Sequence, residues 1–200
     1  MPDFNKFNDC EILKLLSEGS KESEYAFNTL YFRYTTQLYG YCVYQSANKE
    51  EAEELLQDTW LKFNDSVKAG KNIQNIAAFL FTIAKNLSID RYRTNKAKKN
   101  IDMTFLDKDF LEEIIDPVNF QVDYEKEELS NQIRLAIEYL DDIYKETLTL
   151  YWFGNFTLEE IAEILGDSVT VQCIRTRLDR AFKQIAKVLE PYFEENREIK

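Results

Sequence analysis

An all-α protein built from two small helical domains is the fold this sequence predicts, and three observations predict it. Only 5 Gly and 3 Pro occur in 200 residues, so turn signals are few. Apolar residues recur at helical spacing through long stretches, with no sustained alternation of period two. Charge is partitioned: an acidic segment without helical period separates two periodic halves. Two hundred residues suit one large or two small domains. A hydrophobic content of 44% with 14% aromatics is enough for packed cores.

The first half, residues 1–100, reads as four or five helices. "CEILKLLSEG" stops at Gly19. "SEYAFNTLYFRYTTQLYGYCVY" carries Ala26, Phe27, Leu30, Tyr31, Tyr34 and Leu38 at helical spacing. "KEEAEELLQDTWLKFNDSV" puts Ala52, Leu55, Leu56, Trp60 and Phe63 on one face and Glu51, Glu54, Asp58 and Leu61 on the other. After the loop "KAGKNIQN", Phe79, Ile83, Leu87 and Tyr92 mark a buried helix with a basic end. Residues 101–128 read as an acidic linker, with Pro117 and a short turn at "FLEEII"; a solvated acidic loop within one domain is the alternative.

The second half, residues 129–200, opens with "LSNQIRLAIEYL" and "IYKETLTLYWFG", the latter stopping at Gly154. Thr157 and Glu160 form a capping box before "LEEIAEIL", and Gly166 supplies a left-handed cap after it. A long amphipathic helix runs from about Thr170 to Leu189, closed by Pro191.

The composition excludes several kinds of chemistry. With no His, the commonest metal ligand and the usual neutral-pH base are missing. Cys10, Cys42 and Cys173 are odd in number and far apart, which suits reduced cytoplasmic thiols rather than a zinc or redox pair. No G-x-x-x-x-G-K, G-x-S-x-G or nucleophile–base spacing occurs, so neither enzyme, metal nor cofactor is expected. Met1–Cys10 is polar and acidic, unlike a signal peptide, and no apolar run is long enough for a membrane span.

The formal net charge of −11 hides two basic patches. Residues 85–99 hold six basic residues against one Asp, and residues 173–187 hold five against one. The intervening 102–128 hold ten acids and two Lys. In the first patch Lys85, Arg91, Arg93 and Lys96 interleave with Asn86, Asn95 and Tyr92, which suits a single strand whose phosphates are tracked and whose bases stack. The bland reading is a solvated helix end. The second patch follows "TLEEIAEILG" as the second helix of a helix-turn-helix, where basic residues meet phosphates and base edges of duplex DNA. An antiparallel hairpin with a charged side is the alternative. Arg175, Arg177 and Arg180 cannot all face one way.

Taken in order, three stretches resemble the bacterial extracytoplasmic-function (ECF) sigma factors of the sigma-70 family. "EEAEELLQDTWLKF" is similar to the family's A-E-D-L-x-Q-E-x-F-L pattern in region two. "FLFTIAKNLSIDRYR" is similar to W-L-x-x-I-A-R-N-L-x-x-D-x-x-R, and "IRTRLDRA" to V-K-S-R-L-x-R-A in region four. The resemblance implies a cytoplasmic alternative sigma factor that binds core RNA polymerase and directs promoter recognition, melting and initiation. It implies that Glu54, Gln57, Asp58 and Leu61 dock on the clamp coiled coil of the largest subunit, where acids suit a basic partner. The flap is a further polymerase contact.

By the same resemblance, the loop Val67–Asn75 and the following helix catch flipped bases of the melted non-template strand at the minus-ten element. The candidates are Asn72, Lys85, Asn86, Arg91, Arg93 and Lys96. The minus-thirty-five candidates are Thr170, Gln172, Arg175, Thr176, Arg177, Arg180 and Lys183. An anti-sigma factor is an implied partner.

Five residues or stretches depart from the pattern. Phe79 replaces Trp, and Lys85 replaces Arg, losing bidentate geometry. Cys173 falls at a Thr position and Gln172 at a small one. Six residues, "DSVTVQ", fill a turn of about four. This leaves two outcomes open: a shifted recognition helix, or promoter location shared with an accessory DNA-targeting protein such as an RNA-guided one. A polymerase-independent helix-turn-helix regulator is the rival from another class.

Overall fold

In the computed structural model, residues 6–18, 22–98, 132–133, 135–166 and 168–195 are described. The chain divides into two compact units, Met1–Ile114 and Ile115–Lys200. The division falls within the 101–128 stretch, which lies outside the described residues. Among the described residues the secondary structure is helical, with no strand.

The first unit contains α1 (Asp9–Ser17), α2 (Glu22–Tyr44), α3 (Lys49–Lys68) and α4 (Ile76–Lys98). Asn8 and Glu11 start α1 with a reciprocal capping box, and Ile12 and Leu16 bury its inner face. Gly19, expected to stop this helix, lies outside the described residues; α1 itself ends at Ser17. The Asp9 carboxylate accepts from both Arg33 and Tyr34, and Arg33 also donates to the Phe7 carbonyl at 3.2 Å, so α1 is clasped onto α2. Burial and the Asp9 carboxylate together raise the Tyr34 hydroxyl pKa.

Asn48 caps α3 by accepting from the Glu51 amide at 2.9 Å. Ala52, Leu55, Trp60 and Phe63 are buried, as the period predicts, whereas Leu56 is half-buried. Thr59 is buried as well, its hydroxyl donating to the Leu55 carbonyl at 2.7 Å. Trp60 sits among Phe27, Tyr31 and Phe63 with ring centroids 5.2–5.7 Å apart.

Gly70, at φ 74, ends α3 through a bond from its amide to the Val67 carbonyl. Ile73 pins the loop to the core, and Asn75 caps α4 by accepting from the Ala78 amide at 3.0 Å. On α4, Leu80, Ala84 and Leu87 form the buried stripe. Tyr92, expected on that face, is 62% exposed; the residue continuing the stripe at i+4 from Leu87 is Arg91.

The second unit contains a helical stretch at 135–138, then α5 (Asp142–Gly154), α6 (Leu158–Leu165) and α7 (Val171–Glu195). Gly154 ends α5, but the left-handed residue is Asn155, at φ 50. Gly154 serves close approach instead: a Cβ there would fall 2.2 Å from the buried Phe156 ring. The Thr157–Glu160 capping box is present. Gly166 has positive φ, at 104, but its ψ of 168 is extended rather than the left-handed helical cap expected.

On α6, Ile161 and Ile164 are buried, and Ala162 and Leu165 are half-buried. On α7, Ile174, Leu178, Ala181 and Leu189 face the core. Pro191 does not close α7, which continues to Glu195. Pro191 is exposed, so its missing amide removes one bond from a solvated end rather than from a packed one.

Candidate nucleic-acid and polymerase interfaces

The polymerase-facing candidates share one face of α3. Glu54, Gln57, Asp58 and Leu61 follow i, i+3, i+4 and i+7. Glu54 and Gln57 are exposed, Asp58 is half-exposed, and Leu61 is 56% exposed. An apolar side chain among acids on the outside of a helix has no structural partner there, which suits a docking contact. The acids stand apart from the core because Leu55, Trp60 and Phe63 take up the inward positions.

The structure separates the minus-ten candidates into three orientations. Asn72 is exposed on the loop, beside Lys71, whose ammonium lies 4.6 Å from the centre of the Phe79 ring. Asn86 and Arg93 are exposed and share an outer stripe of α4, while Lys85 is half-buried. Lys96 belongs to α4, with its side chain outside the described residues.

Arg91 turns the other way, toward α3. Its guanidinium donates to the Asp58 carboxylate at 2.6 Å and to the Glu51 carbonyl at 3.1 Å. The Glu54 carboxylate is 3.8 Å away. A candidate DNA contact and two candidate polymerase contacts therefore hold one another. Sequence reasoning did not join them, although Arg91 sits on the Leu80–Ala84–Leu87 stripe and could have been found there.

In the second unit, α6, the turn and α7 form a helix-turn-helix. The amide of Val169 bonds to the Gly166 carbonyl at 2.9 Å, and Thr170 caps α7 by accepting from the Cys173 amide at 3.2 Å. Val171 and Gln172, expected in the turn, are thus the first residues of α7. Opposite the buried Ile174, Leu178 and Ala181 stand Gln172, Thr176, Asp179 and Lys183.

Arg175 is exposed and Arg177 half-buried, one on each flank of that stripe. Arg180 donates to the Tyr144 hydroxyl at 3.3 Å, which ties it to α5. Lys183 pairs with Asp179 at 2.8 Å, an acid in the middle of the outward face that sequence reasoning passed over.

Residues 30–98 match Sigma-70 region 2. The ECF RNA polymerase sigma factor SigW of Bacillus subtilis is 27% identical over 182 residues, covering 89% of this chain and 96% of SigW. Residues 30–98 thus match a Sigma-70 region 2 domain, and the chain is similar over most of its length to an ECF sigma factor.

The RNA polymerase sigma-H factor of Pseudomonas aeruginosa is similar to this chain at 24% identity, across 94% of this chain and 96% of its own. Two solved structures share the fold. One is CnrH in complex with the cytosolic domain of CnrY, at a TM-score of 0.64 and 17% identity, over 92% of this chain and 97% of that one. The other is the sigma factor RpoE of Bartonella quintana with the anti-sigma factor NepR, at 0.62 and 21%, over 82% and 96%. SigW and the sigma-H factor are both RNA polymerase sigma factors. No helix among the described residues is long and apolar enough to cross a membrane.

Proposed function

We propose that this chain is an alternative sigma factor that docks on the clamp coiled coil of the polymerase largest subunit through Glu54, Gln57, Asp58 and Leu61. The observation that carries the reading is exposed Leu61 flanked by acids on the face of α3 turned away from its core. Asn72, Lys85, Asn86, Arg93 and Lys96 then follow the melted non-template strand; basic and amide groups suit phosphates and flipped bases, and Asn72, Asn86 and Arg93 are exposed. The second unit reads the minus-thirty-five element through Gln172, Arg175, Thr176, Arg177 and Lys183 on α7. The same unit meets the flap through an open groove lined by Ala136, Tyr139, Leu140, Gln184, Lys187 and Val188. An anti-sigma factor competes for these polymerase-facing surfaces, as the RpoE–NepR complex suggests by likeness.

The test is binding of the purified chain to core polymerase with run-off transcription, wild type beside Leu61→Arg. Leu61 makes none of the ion pairs described above, so its replacement probes docking without disturbing Arg91. Weakened core binding and lost transcription support the reading. Full core binding by the variant, or duplex DNA binding with no affinity for core, overturns it in favour of a polymerase-independent regulator. A second reading, in which promoter location is shared with another DNA-targeting protein, is favoured by the acid at Asp179. A footprint showing minus-thirty-five protection by the holoenzyme alone removes it.

A further inference from the structure

Arg91 lies at the junction of two surfaces that were assigned to different partners. On α3, Glu50, Glu51, Glu53, Glu54 and Asp58 crowd negative charge into little more than two turns. Pairs such as Glu50 with Glu54 and Glu54 with Asp58 are four residues apart, the spacing at which like charges repel. Lys49 and Lys62 flank the cluster, with no cation within it. The positive charge that reaches Asp58 and Glu54 comes from α4.

The guanidinium of Arg91 meets acceptors on three successive levels of α3: the Glu51 carbonyl, the Glu54 carboxylate and the Asp58 carboxylate, at 3.1, 3.8 and 2.6 Å. Its side chain is 28% exposed, whereas that of Asp58 is 49% exposed. It also lies near the buried Cys42, whose pKa its charge lowers against the effect of burial. A planar fork bonded to both a carbonyl and a carboxylate is fixed in direction as well as in charge. A guanidinium held in this way is turned toward α3 and away from the outer stripe of α4 that carries Asn86 and Arg93.

We propose that Arg91 is a positioning residue for the polymerase-docking face of α3 rather than a contact to promoter DNA. It holds Asp58 and Glu54 in the orientation in which the clamp meets them, and it relieves their mutual repulsion before docking. Asp58 consequently acts partly through Arg91, so charge reversal at Asp58 disturbs the brace together with the surface. The division of labour on α4 follows the helical wheel: Arg91 serves α3, while Asn86 and Arg93 on the outer stripe serve the strand.

The inference rests on the docking reading, and the experiment separates the two. Core affinity and open-complex formation at saturating core are measured for wild type, Arg91→Met, Asp58→Asn, their double variant, Arg93→Ala and Leu61→Arg. Circular dichroism is recorded to establish that each variant is folded. Arg91→Met is expected to weaken core binding by about tenfold, the usual scale for a charge-assisted hydrogen bond. Open-complex yield should return to wild type once core is saturating. Asp58→Asn should weaken core binding comparably, and the double variant no further than either single change. Arg93→Ala should show the reverse pattern, with full core affinity and fewer open complexes.

Arg91→Met that keeps core affinity and loses open complexes at saturation makes Arg91 a DNA contact and overturns the inference. Losses in both measurements also overturn it. If Arg91→Met does not fold, Arg91→Lys, which keeps the charge but loses the fork, decides by the same two readouts. Unchanged core binding by Leu61→Arg overturns the docking reading itself, whatever Arg91 does.

Discussion

Cys42 is fully buried at the C-terminal end of α2, and burial pushes its thiol pKa up to about 12. In the unfolded chain the thiol ionises near the ordinary value of about 8.5. Between those limits the native state keeps a proton that the unfolded state has lost, so stability falls as pH rises. The slope from this one group is about 1.4 kcal/mol per pH unit, and below about pH 8 it contributes none. Tyr34, raised by burial and by the Asp9 carboxylate, adds in the same direction above about pH 10. Urea unfolding at pH 7, 9 and 10, with wild type beside Cys42→Ala, checks this. The alkaline slope should flatten in the variant; an identical slope would show that Cys42 does not carry it.

At the scale of the element, α7 joins two demands on one helix. Its Ile174–Leu178–Ala181 stripe packs the unit, and Asp179 sits opposite among the groups that face outward. Because Lys183 is held by Asp179, Asp179→Ala should free a cation and remove an acid from the recognition face. Duplex binding by the holoenzyme should tighten, and the slope of log affinity against log salt should steepen by about one. An unchanged slope would place Asp179 away from the DNA. Such detail was only partly legible in the sequence. The capping box at Thr157 and the α3 core positions could be read because both depend on local spacing. Arg91 was legible as the i+4 continuation of the Leu80–Ala84–Leu87 stripe, but its partners were not, because they depend on which surface of α3 lies opposite. The same limit applied to "DSVTVQ", whose final Val-Gln joins α7 because Thr170 supplies a cap.

Over the whole molecule, the net charge of −11 sets how the chain meets DNA. Repulsion from the acidic bulk should keep the free protein off duplex DNA even though its two basic patches are intact. Gel-shift titration at physiological salt should therefore find the free chain binding promoter DNA at least about a hundredfold more weakly than the holoenzyme does. Comparable affinity without polymerase would contradict this. The acidic α3 face should in turn make docking on core weaken as salt rises.

The placement of the three thiols has a practical consequence. Cys42 is shielded, whereas Cys10 is exposed in the first unit and Cys173 is partly accessible in the second. Each unit thus carries a natural attachment point for a maleimide dye without any engineered residue. Donor and acceptor fluorophores placed there would report, molecule by molecule, how the separation of the two units changes as polymerase and then promoter are added.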